Sequence, residues 1–341
     1  MVNIRNLFTR DAIIQYLQIL GPMFPTRVMD TVFTRRPQQP GPLIGSDIIK
    51  QSVKAMPLGR RGSRSITIGG AAGQTEFYEP YPIHPDISVT GADLNNLRMF
   101  MQQGNSQELL KVWAQSKTEI LRQTVRNTAE AMCATTLSGK LQWPVQIEGG
   151  GFETYEVDYG APQTLAPGEF KYWDDPATKV ADILNMFILI QVLFQRSGIG
   201  GRMAFWAGKD AFLTLFTLAS RILTSTKLLV EAGVSMQLGE NFVMIGNNKI
   251  ELAAEEYWNP QTAAFVPIVP VDTFQAIALD AGHQMPYASI DDLDGGLQAM
   301  PFFIKPLKTD NPSGYSLIAE SKPLPVVNPL GLFRLQVLAP V

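Results

Sequence analysis

The sequence predicts a mixed α+β fold built around one very long helix, and three observations predict it. Residues 105–138 contain neither Gly nor Pro and keep apolar side chains at a helical period. This pattern indicates a single helix of about 33 residues. Alternating polar and apolar stretches on both sides of it are typical of strands and hairpins. Further helical segments alternate with strands between residues 176 and 279, so neither an all-α nor an all-β fold fits.

The composition places the chain among ordinary folded proteins. It has 341 residues, of which 45% are hydrophobic and 17% are charged, and this excludes disorder as the main state. The single cysteine, Cys133, excludes an internal disulfide and favours a reducing compartment. The longest apolar run, residues 183–194, is shorter than the roughly 20 residues that cross a bilayer, and we expect no membrane contact. Residues 1–10 lack the pattern of a signal peptide.

The charges are distributed unevenly along the chain. Residues 1–64 contain ten basic and three acidic residues, a balance of +7, whereas the remaining 18 basic and 28 acidic residues give −10. A basic beginning joined to an acidic body can bind nucleic acid or the acidic body of another copy, and a solvated face without a partner is the third reading.

The first 91 residues contain two segments that cannot form a core of their own. Residues 1–45 are rich in proline, with a short helix expected over 10–20, a turn over 26–34 and extended chain over 37–42. We expect this arm to serve assembly and not the fold of one subunit. Residues 46–91 suggest a long hairpin with strands at 64–68 and 74–78, and two strands alone bury too little, so it is expected to lie on another subunit.

The long helix is expected to act as a spine. Asn105 begins it, and Gly139 lies where a helix commonly ends in a left-handed residue. Four apolar residues are predicted to form its core-facing side: Trp113, Ile120, Leu121 and Val125. After it we expect a hairpin (143–147 with 154–158), helices over 176–196 and 210–221, and strands at 202–207, 243–245, 250–255, 264–269, 274–279, 316–320 and 333–337.

No constellation for catalysis, cofactor binding or metal binding stands out. His84 and His283 lie 199 positions apart without an acidic motif beside either, and Cys133 falls inside the long helix. No glycine-rich phosphate loop has the required spacing. Asp291, Asp292 and Asp294 form an acidic turn that lacks the final Glu of a calcium loop. We therefore predict no enzyme activity, no cofactor and no metal, while the 31 acidic residues leave a carboxylate-based hydrolase as an alternative.

Several segments carry a resemblance to a known family. They are residues 24–35 (FPTRVMDTVFTR), 136–140 (TLSGK), 155–160 (YEVDYG), 204–212 (AFWAGKDAF), 318–325 (IAESKPLP), 328–329 (NP) and 333–338 (FRLQVL). Together with the order of the predicted elements, they resemble the lambda-type major capsid proteins of tailed bacteriophages, which have the HK97-like fold.

The resemblance implies five regions. These are an N-terminal arm (1–45), an E-loop hairpin (46–91), a P-domain with the spine helix (92–159), an A-domain (160–296) and C-terminal strands that return to the P-domain (297–341).

The resemblance also implies a function and partners. The chain would assemble in the host cytoplasm into hexamers and pentamers of an icosahedral virion shell, which encloses double-stranded phage DNA without sequence-specific contact. Scaffolding and decoration proteins are further partners in such shells. An encapsulin-type compartment shell shares the fold and is a second alternative.

Three arginines of the expected E-loop, Arg60, Arg61 and Arg64, are predicted to contact a neighbouring subunit. Three guanidiniums within five residues repel one another unless anions lie near, and arginine suits paired contacts with carboxylates. The anions are expected to be carboxylates of the neighbour. DNA phosphate and plain solvation remain alternatives.

Overall fold

A computed structural model describes residues 26–45, 77–93, 106–223, 235–310 and 313–340, together with residues 12, 15, 16 and 95. The α-helices are α1 (Arg27–Thr31), α2 (Ser106–Thr136), α3 (Val180–Arg196) and α4 (Lys209–Leu223), and a short 3-10 helix spans Pro329–Gly331.

The strands are short, and most belong to antiparallel pairs. They are β1 (Ile44–Gly45), β2 (Phe77–Tyr78), β3 (Asp86–Thr90), β4 (Lys140–Gln146), β5 (Phe152–Asp158), β6 (Met203–Ala207), β7 (Met236–Leu238), β8 (Phe242–Ile245), β9 (Asn248–Leu252), β10 (Glu256–Asn259), β11 (Ala264–Pro267), β12 (Thr273–Ala278), β13 (Phe303–Asp310), β14 (Ser313–Glu320) and β15 (Leu332–Gln336). Strand β1 pairs with β2, and these two strands enclose residues 46–76 in the sequence.

The chain divides into two compact units. The first is drawn from residues 1–44, 77–130 and 285–324, and the second from 45–76, 131–284 and 325–341. This division does not follow the expected regions, because the expected 46–91 and 160–296 regions each contribute to both units. Two further regions are divided as well. The division also falls within α2, so the expected 92–159 region contributes to both units, and the expected 297–341 region is also shared between them.

The first unit packs α2 against a three-stranded antiparallel sheet. The strand order is β13-β14-β3, and Leu317 and Ala319 on the central strand are fully buried. Leu121 and Val125 of α2 lie in the same apolar cluster, and Trp113 is partly buried against it. The expectation that Ile120 faces this core is wrong, because its side chain is 48% exposed. A helical step of 100° separates it from the buried Leu121 and turns it to the outside.

The second unit is built on a six-stranded sheet in the order β15-β12-β6-β9-β8-β7. The β6–β9 pair is parallel and the other pairs are antiparallel. Phe274 on β12, next to the edge strand β15, contacts Phe187 of α3 at 5.7 Å and Phe205 of β6 at 6.0 Å between ring centroids. Because aromatic side chains bury large areas, this cluster provides much of the apolar core of the unit.

The last strand belongs to this sheet. Strand β15 pairs with β12 in antiparallel register, with Phe333 opposite Ala276, whereas β13 and β14 pair in the first unit. The expected return of all C-terminal strands to the spine-helix region is thereby corrected for β15. Its alternating Phe333 and Leu335 are buried, which requires the apolar partner surface that β12 provides.

Two glycines fix the turns around the helices of the second unit. Gly139 follows α2 and has a φ of +88°, a conformation that favours glycine. A Cβ at this position would lie 2.1 Å from the carbonyl oxygen of Gly160, which follows β5, so the close approach of the two backbone segments also requires glycine. Gly208 before α4 likewise meets the Pro270 carbonyl, at 1.9 Å from an added Cβ. Helix α2 ends at Thr136, and a turn over residues 137–139 closes at Gly139, the predicted terminator. Helix α3 begins at Val180 and not at Pro176.

Cys133 is buried within α2 and forms no disulfide. None of the helices in the described part of the chain combines the length and the apolar character needed to span a bilayer.

Candidate functional site

The described part of the N-terminal segment is anchored to α2 by one buried carboxylate. The two oxygens of Glu130 accept hydrogen bonds from the backbone N–H groups of Val28 and Met29, each at 2.7 Å. These N–H groups begin α1 and have no acceptor within that helix. Burial raises the pKa of Glu130, and the two backbone hydrogen bonds oppose this effect.

A small ion-pair cluster fixes the same segment from its exposed side. Asp30 contacts Arg36 at 2.8 Å and Arg126 of α2 at 2.6 Å, and it also accepts a hydrogen bond from the Thr26 backbone. Partial burial raises the pKa of Asp30, but the hydrogen bonds from Arg36 and Thr26 and the charge of Arg126 outweigh it and lower the pKa to about 2. Asp30 therefore stays ionised and holds both arginines through the neutral range.

Backbone hydrogen bonds hold the proline-rich stretch in an extended form. Met285 and Tyr287 donate to the carbonyls of Arg35 and Pro37, both at 2.9 Å, and Gln39 donates back to Tyr287 at 2.8 Å. A proline lacks an N–H but can accept, so this pattern suits the sequence.

The expectation that residues 1–45 do not contribute to the fold of one subunit is wrong for the described part. The side chains of Val28, Met29, Val32 and Phe33 are buried. Residues 26–45 therefore belong to the folded subunit and give the arm a fixed point of attachment.

One face of α2 carries no charge and remains exposed. Val112, Ser116, Ile120 and Thr124 follow one another at four-residue spacing, and all four are exposed. The apolar side chain of Val112 is 61% exposed and that of Ile120 is 48% exposed. Spacing of four places them along one stripe, which we call the α2 stripe.

The predicted site residues have different outcomes. Arg60, Arg61 and Arg64 lie outside the described residues. Leu121 and Val125 are in the core of the first unit, and Trp113 packs at its edge. Ile120 lies on the α2 stripe instead.

The hairpin β10–β11 presents a pair of aromatic side chains that sequence reasoning missed. Trp258 and Phe265 are opposite each other across the two strands, with ring centroids 5.1 Å apart and nearly perpendicular planes. Trp258 is 49% exposed and Phe265 64% exposed. The available signal was the pair of aromatic residues on either side of the turn at residues 260–263, each two positions from it.

The opposite face of this hairpin packs within the second unit. Tyr257 lies 6.0 Å from Trp143 of β4 between ring centroids, and both line a cleft of about 550 Å³ between hairpins β4–β5 and β10–β11. Lys140, which also lines this cleft, pairs with Asp158 at 2.6 Å. Hairpin β10–β11 is thus supported on one face and bare on the other.

The carboxylates of the acidic turn at residues 291–296 form ion pairs with two lysines of the first unit. Lys322 pairs with Asp291, and Lys305 pairs with Asp292 and, at 3.7 Å, with Asp294. Within the described residues, no group of three or more His, Cys, Asp or Glu side chains is arranged to hold a metal ion.

Comparison with protein families decides the identity. The sequence profile described as phage major capsid protein E matches residues 9–337. The chain belongs to this family. No curated protein sequence matches it. As a member of the family it is a shell-forming capsid protein, and its place is the virion shell.

The chain is also similar to solved structures, of which one shows the fold. A protein assigned as the capsid protein of a prophage of E. coli CFT073 is 15% identical and has a TM-score of 0.59, with 96% of this chain and 98% of that chain covered. A phage-related protein from Bordetella bronchiseptica RB50 is 11% identical, with a TM-score of 0.46 and 96% of both chains covered. The mature capsid of bacteriophage PhiM1 is 14% identical, with a TM-score of 0.44 and coverage of 93% and 88%. The first of these likenesses confirms the mixed α+β, HK97-like capsid fold that the resemblance implied.

Proposed function

We propose that this capsid protein is the main building block of an icosahedral phage shell, in which its copies form hexamers and pentamers around double-stranded DNA. The observation that carries the proposal is the family match over residues 9–337, which includes most of both units and residues 9–45 of the arm. The protein acts by association and has no catalytic role. It assembles in the host cytoplasm, with scaffolding and decoration proteins as additional partners.

Two surfaces of the first unit support a role in self-association. The α2 stripe exposes Val112 and Ile120 without a charged residue at the stripe positions between them, which is typical of an interface and not of a solvated helix face. Residues 26–45 are anchored in the first unit, and Tyr16 and Ala12 also pack into its apolar cluster, so the part of the arm proposed to reach a neighbour is the part before Ala12. We propose that both surfaces contact neighbouring copies in the shell.

The charge asymmetry supplies the attraction between copies. Residues 1–64 have a net charge of +7 and the rest of the chain has −10. A shell can bring the basic part of each copy against the acidic part of another copy. We propose that Arg60, Arg61 and Arg64 contact carboxylates of a neighbour, and not DNA. An exposed ion pair contributes only about 0.2 to 1 kcal/mol, but a shell repeats each pair in every subunit.

The test is expression of the full chain followed by negative-stain microscopy and measurement of the nucleic acid in purified particles. Regular closed shells are the expected result, whereas a soluble monomer that never assembles at high concentration would contradict the proposal. Particles that package a protein cargo when produced with phage DNA would instead favour the encapsulin-type alternative. Hydrolysis of a polymeric substrate by the monomer would favour the carboxylate-based hydrolase.

The arginines are tested by changing all three to Glu. Loss of particles with a folded subunit is the result expected from contacts with carboxylates. Normal empty shells that only fail to retain DNA would assign the arginines to phosphate, and normal filled shells would leave them solvated.

A further inference from the structure

The bare face of hairpin β10–β11 has the chemistry of a binding surface. Trp258 and Phe265 lie on it with Glu256, because alternate residues of a strand point to the same side. Among the described residues, β10 and β11 form a sheet only with each other. A half-exposed aromatic pair of this kind is typical of an interface anchor, since aromatic side chains are enriched at interfaces and bring large contact areas.

The hairpin is held in one conformation before any partner binds. The side-chain oxygen of Asn259 accepts hydrogen bonds from the backbone of Gln261 at 2.9 Å and of Thr262 at 3.3 Å, which fixes the turn. Tyr257 on the other face is packed near Trp143. A preformed surface loses less conformational entropy on binding, so a small contact can contribute useful affinity.

The charge of the hairpin narrows the choice of partner. Residues 253–271 contain Glu255 and Glu256 and no Lys or Arg. Two such hairpins facing each other would bring carboxylates together, and DNA phosphate would be repelled for the same reason. The complement is a basic and flat side chain, which is arginine, since its guanidinium stacks on an indole ring and pairs with a carboxylate.

This chain contains a segment with that chemistry. Residues 46–76 carry five basic and two acidic residues, a balance of +3, and Arg60, Arg61 and Arg64 lie near the middle of these 31 residues. A chain of this length that leaves and returns can reach roughly 50 Å, at about 3.3 Å per residue in each direction. The segment is therefore long enough to contact a neighbouring copy.

We propose that the 46–76 segment of one copy binds the Glu256–Trp258–Phe265 face of hairpin β10–β11 on a second copy. This inference rests on the proposed self-assembly and specifies one of its contacts. The arginines stack on Trp258 and Phe265 and pair with Glu256. The charge difference orients the contact, because each copy offers one basic segment and one acidic aromatic face.

The first experiment removes the aromatic pair. The double variant Trp258→Ala/Phe265→Ala is compared with Ile188→Ala, which removes another exposed apolar side chain from the second unit. Both variants are expected to keep the melting temperature of the unassembled subunit. Particle yield should fall at least tenfold for the double variant and stay unchanged for the control. An unchanged yield for both would overturn the inference.

The second experiment exchanges the charges. Glu256→Lys alone and Arg60→Glu/Arg61→Glu/Arg64→Glu alone should each lower the particle yield, whereas Glu256→Lys combined with a single Arg61→Glu should restore part of it. Glu240→Lys, at another exposed acidic position, is the matched control. Loss of particles in Glu256→Lys without any rescue by Arg61→Glu would assign the hairpin to a different partner and overturn the pairing.

The third experiment shows whether the contact joins two copies. Glu256→Cys and Arg61→Cys variants are produced separately, mixed during assembly and oxidised, with the wild-type chain and its buried Cys133 as control. A disulfide-linked dimer that forms only in the mixture is expected. Its absence in particles that assemble normally would overturn the inference and leave the proposed shell function intact. Failure of the wild-type chain to form particles would contradict the proposed function itself.

Discussion

Acidification should destabilise the second unit through one buried histidine. His283 is 2% exposed, and its Nδ1 accepts a hydrogen bond from the Asn328 backbone at 3.3 Å. The packing around it is close, because a Cβ on Gly331 would lie 3.3 Å from the ring. Burial lowers the pKa of His283 from 6.5 to about 4, although a hydrogen bond with the Ala278 backbone opposes this.

The sign and the size of the effect follow from this pKa. The unfolded chain takes up a proton near pH 6.5 and the folded chain only near pH 4. The contribution of the neutral His283 to stability is therefore present above pH 6.5 and is lost as the pH falls toward 4. At pH 4.5 the expected loss is about 2 to 3 kcal/mol, from RT and the separation of the two pKa values.

The assay is urea-induced unfolding of dilute, unassembled subunits at pH 7.0 and pH 4.5. Carboxylates also titrate in this range, so the informative quantity is the difference between wild type and His283→Gln, in which no histidine remains at this position. The wild type should lose about 2 to 3 kcal/mol more than the variant between the two pH values. His84→Gln is the control, because His84 is exposed, and it should behave as wild type. Parallel losses in wild type and His283→Gln would refute the reasoning.

Three further predictions concern the first unit. Leu121→Ala should lower the free energy of unfolding by about 2 to 5 kcal/mol, whereas Ile120→Ala should leave it nearly unchanged and lower particle yield, as measured by urea unfolding and microscopy. Glu130→Ala leaves two buried N–H groups of α1 without their acceptor, which should cost about 1 to 3 kcal/mol and speed hydrogen exchange in that helix, while Glu130→Gln should retain part of the protection. Deletion of residues 2–45 removes the buried Phe33 and should lower the melting temperature, and an unchanged melt would show that the arm is dispensable for the fold.

The sequence predicted local elements well where a single pattern determines them. The long helix was expected from the absence of Gly and Pro and is present as α2, and hairpin β4–β5 was expected from its alternation around three glycines. The destination of β15 was not predictable, because the alternation of Phe333 and Leu335 shows that one face is buried but not against which strand. Strand β13 was missed, since Pro306 and two lysines hide its pattern.

The anchored arm was misread for a related reason. Proline density indicates extended chain, but it does not show whether the extended chain is covered. Glu130, 102 positions after Val28, provides the acceptor that holds it, and a contact over that separation leaves no local signal. Candidate interface residues share this difficulty: Trp258 and Phe265 alternate in a strand in the same way as core residues do.

Ile120 shows how an exposed apolar residue of α2 differs from a buried one. Val112 and Ile120 are four-residue neighbours of Ser116 and Thr124, whereas Leu121 and Val125 belong to the cluster that packs on β14. A helix with one buried apolar stripe needs no second stripe for its own stability, because charged residues there would improve solvation. An uncharged second stripe on the exposed side is therefore explained by an association that removes it from water. In a capsid shell, a neighbouring subunit provides each copy with a surface for that association.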